Sequence, residues 1–295
     1  MPSNTDNSDS TRHYRRRRLV SSLFAGSCGL MTVLCVVVLG GLLVSIVAKG
    51  WSGLSWTLLT NLTSRFPEKA GIKHALFGSV WIAGLTALFS VPLGVGAAVY
   101  LEEYTGASRL RRVIQLNIAN LAGVPSIVYG ILGLGLFVRA LQMGATILAA
   151  SLTMTLVVLP IVILASQEAL RSVPGSIRQA SHALGATRWQ TIWRQVLPAS
   201  APGIMTGVIL AVSRALGEAA PLVAIGAAAS MSWAPMSPTE QASGLPLLIY
   251  HWAAEPKEEF KDLAASGILV LLGTLLLLNA GAVFVRYRYG KRIKW

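Results

Sequence analysis

Six stretches of this chain are apolar for long enough to cross a membrane, and the segments between them are polar. The runs extend over about Val20–Ala48, Leu76–Tyr100, Ile114–Val138, Ala145–Ser166, Gly203–Met231 and Ser266–Val285. A spanning helix needs about 20 apolar residues, so the pattern predicts an all-α membrane protein with six transmembrane helices. The first run is too long for the hydrophobic region of a signal peptide and has no clear cleavage site, so it reads as a retained helix. Met1 to Arg18 is polar, ends in "HYRRRR", and predicts no structure. Pro92, Pro125, Pro160 and Pro221 fall inside the runs, where a kink is tolerated if neighbouring helices or a cavity satisfy the freed carbonyls. "GIMTG", Gly203 to Gly207, fits a close helix crossing, or simply the ordinary glycine content of membrane helices.

Composition supports this picture. Of the 295 residues, 54% are hydrophobic and 13% charged, against about 25% charged in soluble domains. The net charge is +13, but the charges lie in short segments between apolar runs and form no patch with stacking aromatics, which excludes a nucleic-acid surface. With the N-terminus inside, 17 Lys and Arg fall in inner segments (1–19, 101–113, 167–202, 286–295) and 7 in outer ones (49–75, 139–144, 232–265). That asymmetry predicts cytoplasmic termini in a multi-pass membrane protein. The chain then divides into a basic tail (1–19), a first transmembrane helix (20–48), a core (72–285) and a basic C-terminus (286–295). The Trp-rich outer segments suit an interfacial belt against membrane lipid. Cys28 and Cys35 both lie in the first run and read as buried small hydrophobes rather than a disulfide.

The motif search is mostly negative. There is no phosphate-binding G-x-x-x-x-G-K-[ST], no H-E-x-x-H, no C-x-x-C, and the four histidines have no metal-ligand spacing. No metal, no cofactor and no enzymatic site of its own is expected, so energy for transport must come from a partner or an ion gradient. The inner segment 167–202 is unusual for a loop. After Pro174, Ile177, Ala180 and Leu184 follow helical spacing; Gly185 breaks the pattern; Trp189, Ile192, Trp193 and Val196 form a second apolar face, closed by Pro198. Two short amphipathic helices joined at a glycine suit a knob seated in a partner's groove, or a hairpin lying on lipid with the two tryptophans as anchors.

"SRALGEAAPL", Ser213 to Leu222, places Arg214 and Glu218 inside the fifth run. A charge near the bilayer centre costs about 2.5–3.5 kcal/mol. At i and i+4 on one helix the two can pair. The pair reads either as a structural clamp or as a substrate group: arginine offers a tetrahedral oxyanion a permanent charge and a fork of donors, with Glu218 moderating its attraction. In "GVPSIVYG", Ser126 and Tyr129 supply hydroxyls that could line a polar path, while Pro125 and Gly130 could merely shape the helix. Glu102 and Glu103 read as a solvated inner turn, and Asn117 and Asn120 as helix-to-helix hydrogen bonds.

"QASHALGATRWQTIWRQVLP", Gln179 to Pro198, resembles the cytoplasmic EAA loop of ABC-transporter permeases. Gln179, Ala180 and Ser181 stand at its E-A-A positions, Gly185 at its glycine, and Leu197 and Pro198 at its L-P; Gln179 replaces the acidic residue and Gln195 an apolar one. "LEEYTG", "LAGVPSIVYGILGLGLFV" and "SRALGEAAPLVAIGA" are similar, in that order, to the PstA-type membrane subunits of phosphate-specific ABC importers. The resemblance implies a MetI-like permease core, in a bacterial inner membrane, that imports inorganic phosphate. It implies a homologous second permease, two ATP-binding subunits that use the ATP, and an extracytoplasmic phosphate-binding protein as partners. Arg214, Glu218, Ser126 and Tyr129 would line the path, and the EAA-type loop would couple it to the ATPase. The rival readings are a permease for sulfate or molybdate, an ion-coupled secondary transporter with Glu218 as proton relay, and a non-transporting scaffold or sensor.

Overall fold

A computed structural model describes residues 6–106 and 108–290, and among these there is no β-strand, only a bridge between Thr146 and Gln241. The chain divides into two units, residues 1–49 and 50–295. The first is carried by helix α1 (Asp6–Gly50). From Asp6 onward the polar tail is therefore helical, contrary to the expectation from its composition. Arginine is a good helix former, and extending a helix already nucleated by the apolar run costs little. Residues 1–5 and 291–295 of the two tails lie outside the described residues. Cys28 and Cys35 are free thiols as expected, but exposed rather than buried, since a unit made of one helix has no second helix to cover them.

The second unit begins with α2 (Trp56–Thr60) and α3 (Lys73–Val99), which a π turn extends through Tyr104. Then come α4 (Arg109–Ala122) and α5 (Ser126–Gly133), the latter continued by a π-helical stretch to Ala140. Next are α6 (Ile147–Arg171), α7 (Gly175–Ala183) and α8 (Arg188–Thr191), which runs through a π turn into α9 (Leu197–Gly217). The chain closes with α10 (Ala220–Ala224), α11 (Leu245–Ala254) and α12 (Glu258–Gly290). Among the described residues, five helices are long and apolar enough to cross a membrane, and a sixth crossing is counted only if α4 and α5 are taken as one bent span.

Helix α6 is the most enclosed span. It runs parallel to α3: Thr86 donates to the Ser151 carbonyl towards one end, and Gln167 and Arg171 donate to Glu102 at the other. It runs antiparallel to α9, where the GIMTG glycines lie against it. A Cβ on Gly203 would come within 2.8 Å of Ala169 Cβ, and one on Gly207 would collide with Ala165. The motif is thus a true close crossing, in which missing side chains let two backbones approach.

Two of the predicted runs and one outer segment differ from the structure in informative ways. The third is not one helix: α4 and α5 meet at 98°. Pro125 has no N–H and disfavours helical geometry in Val124, so the chain turns at Gly123–Pro125. The fifth begins earlier and stops earlier, spanning Arg188–Gly217. Pro198 does not end a helix, because it follows the π turn Ile192–Val196, where the hydrogen-bond register has already slipped by one residue. The outer segment 232–265 is not wholly a surface loop. Its apolar stretch folds as α11, and Leu245, Leu248 and Trp252 join Leu58, Ile72 and Phe260 in a buried cluster. Trp51, Trp56 and Trp233 are exposed, as an interfacial belt requires, but Trp252 is core.

Candidate functional site

Two helix breaks meet inside the bundle. One separates α4 from α5; the other separates α9 from α10. Glu218 sits in the second break with an extended backbone (φ −89°, ψ 116°). It is therefore not the next turn of a continuous helix, as the i, i+4 spacing suggested. The pair with Arg214 nevertheless forms, because Arg214 occupies the last turn of α9 and Glu218 turns back towards it. Arg214 Nε lies 3.4 Å from Glu218 Oε1, and Ser126 Oγ donates to Glu218 Oε2 at 3.1 Å. Side chains from two breaks, 92 positions apart in sequence, thus form one chain of polar contacts.

Packing below the cluster fixes it. Gly130 of α5 is pressed against Pro221 and Ala224 of α10, and Tyr129, Val157, Val158, Ala211 and Ala215 form an apolar cluster beneath. The Tyr129 hydroxyl donates to the Leu121 carbonyl at 2.8 Å, which also accepts from Val124 N–H at 3.1 Å in the tightened turn before Pro125. Tyr129 is buried and does not join the polar cluster, which gathers Arg214, Glu218 and Ser126. Helix α5 starts at Ser126 without a side-chain cap, so the positive end of its dipole opens beside Glu218. Arg214 retains 46% of its side-chain exposure and Glu218 24%. A guanidinium held by one long contact and half open keeps donors free for a further acceptor.

The segment 167–202 has the expected helix-glycine-helix form. Gly185 has φ +82°, a left-handed conformation that costs a residue with a Cβ about 1–2 kcal/mol. A capping box between Thr187 and Gln190 restarts the chain, and Ser181 and Thr191 hydroxyls join the two arms at 2.8 Å. The second apolar face divides. Ile192 and Val196 pack into the bundle with Ala98, Leu170 and Val173, whereas Trp189 and Trp193 stack on each other at 5.7 Å and stay exposed, as does Leu184 at 89%. Gln179 and Ala180 are exposed and Ser181 half-buried. Leu197 and Pro198 belong to the foot of the span α9 rather than to the knob. An open groove of about 540 Å3 lies between the arms, floored by Ile177, Ala180 and Gly185.

Two features escaped the sequence reading. Glu102 and Glu103 are not a solvated turn; their side chains are 8% and 9% exposed and paired with arginines from three other helices. The charged residues were all visible in the inner segments, but nothing in their spacing says which meet. Asn117 donates to the Val113 carbonyl of its own helix; Ser213 with Asn279, at 2.6 Å, is instead a polar contact between spans, joining α9 to α12.

Helix breaks around a charged pair at one end of α9, and an exposed helix-glycine-helix knob at its other end, define a membrane permease of the ABC-importer type. The fold agrees: it is similar to a chain of a bacterial alginate ABC transporter (TM-score 0.64, 14% identity, 92% of this chain and 94% of that one). It is also similar to a chain of the MetNI methionine ABC transporter (TM-score 0.59, 18% identity, 73% and 96%). Residues 90–294 match the family described as the inner membrane component of binding-protein-dependent transport systems, and this chain belongs to that family. It is 35% identical over 279 residues to "Phosphate transport system permease protein PstA 1" of Mycobacterium tuberculosis, covering 92% of this chain and 90% of the relative. It is 33% identical over 278 residues to "Probable ABC transporter permease protein YqgI" of Bacillus subtilis, covering 90% and 95%.

Proposed function

We propose that this chain is the permease subunit of an ATP-driven importer of inorganic phosphate. The observation that carries the reading is the Arg214–Glu218–Ser126 cluster, placed where the break between α4 and α5 meets the break between α9 and α10. Discontinuous helices whose N-termini face an anionic substrate are a recurrent design at the midplane of transporters. Arg214 supplies the permanent positive charge and two-pronged donors, and the start of α5 adds to the positive potential. Glu218 both positions Arg214 and tempers it, so that the anion enters favourably and still leaves. It also distinguishes oxyanions: a phosphate that still carries a proton can donate to the carboxylate, whereas sulfate and molybdate, which carry none near neutral pH, meet only its repulsion. The names of the relatives support the same substrate.

Both termini face the cytoplasm in this reading, and the Gly185 knob seats on an ATP-binding partner through Leu184, Trp189 and Trp193. Two ATP-binding subunits, a homologous permease and an extracytoplasmic phosphate-binding protein complete the assembly. ATP is hydrolysed on the partner, and this chain needs no bound cofactor. The test is uptake of labelled phosphate into liposomes holding the whole assembly. Uptake should require ATP inside the face that carries the knob, survive an uncoupler, and resist competition by sulfate. Uptake that an uncoupler abolishes and ATP does not support would point instead to a secondary transporter.

A further inference from the structure

At the end of the bundle where α3, α4, α6 and α7 converge, three arginines and three carboxylates close on one another. Glu102 and Glu103 are adjacent in sequence, on the π turn that ends α3. Glu102 holds Arg111 of α4 and Arg171 of α6, each at 2.6 Å, and accepts from Gln167 at 3.1 Å. Glu103 holds Arg178 of α7 at 2.6 Å. Arg178 also donates to the Leu170 and Val173 carbonyls at 3.0 and 2.8 Å, closing the end of α6. Glu168 completes the balance on Arg171 at 2.9 Å.

We infer that Glu102 and Glu103 form a rigid joint that carries displacement of the α7 knob through α4 to the Ser126–Glu218 contact. The inference rests on the reading of that knob as the seat of the ATP-binding partner. Without the joint, α7 would be tied to α6 by Ser172–Pro174, to α8 through the Ser181 and Thr191 hydroxyls, and to the bundle by the apolar packing of Ile177, which can slide. With it, α7 is pinned to the ends of α3 and α6, and Arg111, in the first turn of α4, is pinned to the same dipeptide. Helix α4 has 14 residues, a lever about 21 Å long, and beyond its far end lie the Pro125 turn and Ser126. The chemistry suits a stiff connection. Apolar contacts slide, whereas charge-assisted pairs fix distance and direction, and separating carboxylates this enclosed would strand them without partners. Glu102 and Glu103 are therefore positioning residues, acting on the pathway through α4 and α7.

The test uses the whole importer in liposomes, with phosphate uptake and ATP hydrolysis measured together and uptake per ATP as the readout. Glu103→Gln and Arg178→Gln should still hydrolyse ATP but lose about tenfold in uptake per ATP, within the usual range of a coupling between sites. Glu103→Cys with Arg178→Cys, in a background lacking Cys28 and Cys35, should uncouple likewise. Bridging the two cysteines with a bifunctional thiol reagent should restore the ratio, because a covalent tie replaces the ionic one. A normal ratio in the glutamine variants would overturn the joint, as would a bridged protein that stays uncoupled. If the cysteine pair does not accumulate in the membrane, Glu103→Gln, which still accepts hydrogen bonds, decides. The wild-type importer separates the two claims: failure to take up phosphate dismisses the substrate reading, whereas normal uptake with unaffected variants dismisses the joint.

Discussion

Removing the charge of Arg214 distinguishes a transport group from a structural clamp, and the structure sets the size of each effect. At 3.4 Å, an effective dielectric of about 20 would give Arg214 and Glu218 an attraction of about 5 kcal/mol. The pair is not enclosed, however: Arg214 is 46% exposed, and pairs open to solvent are worth about 0.2–1 kcal/mol. Arg214→Gln should therefore cost about 1 kcal/mol or less in stability. A charge-assisted hydrogen bond from Arg214 to the passing anion is worth about 1.5–3 kcal/mol, which corresponds to roughly 10- to 150-fold in transport. Glu218→Gln keeps an acceptor for Ser126 and frees the guanidinium, so phosphate should be held more tightly and released more slowly, lowering both KM and maximal rate. The measurements are membrane abundance and phosphate uptake for Arg214→Gln, Glu218→Gln and the double variant. A buried clamp would behave otherwise: each single change would cost about 3–5 kcal/mol by stranding a charge, and the double change would be nearly neutral. Full recovery of uptake in the double variant would refute the transport role.

Three further outcomes follow from local geometry. Gly185→Val meets no neighbour, since nothing lies within 4 Å of the added Cβ, but at φ +82° it carries a backbone cost of about 1–2 kcal/mol; the protein should reach the membrane and lose uptake per ATP, and normal transport would dismiss the knob's coupling role. Gly207→Val drives a side chain into Ala165 on α6 and should cost about 1–3 kcal/mol or more, read as a lowered melting temperature in detergent; an unchanged melt would show that α6 and α9 do not cross there. In a background lacking Cys28 and Cys35, Ser64→Cys and Thr239→Cys should react with an impermeant thiol reagent from outside, and Ser176→Cys only after the membrane is opened; outside labelling of Ser176→Cys would invert the topology. Ser243, also in an outer segment, is 0% exposed and would be a misleading probe.

What the sequence determined by itself is the membrane class, the number of apolar runs and the Gly185 break. Each is a one-dimensional signal: a span is a length of apolar residues, and a left-handed turn selects glycine. GIMTG left a close crossing and ordinary glycine content equally open, and only the packing of α9 on α6 decided for the crossing. The charged pair was also visible, because any charge within an apolar run is conspicuous. Its surroundings were not. Hydropathy averages over a window, so a run broken at Pro125 or at Glu218 looks the same as a continuous one, and only the fold shows α5 and α10 starting side by side. It also shows Ser126 reaching Glu218 and Tyr129 turned away to the Leu121 carbonyl. Glu102 and Glu103 make the same point from the other direction. Two carboxylates at the end of a span suggest solvent, because sequence records their charge but not their partners. Arg111, Arg171 and Arg178 arrive from positions 9, 69 and 75 residues away, and which charges meet is decided by how the helices pack.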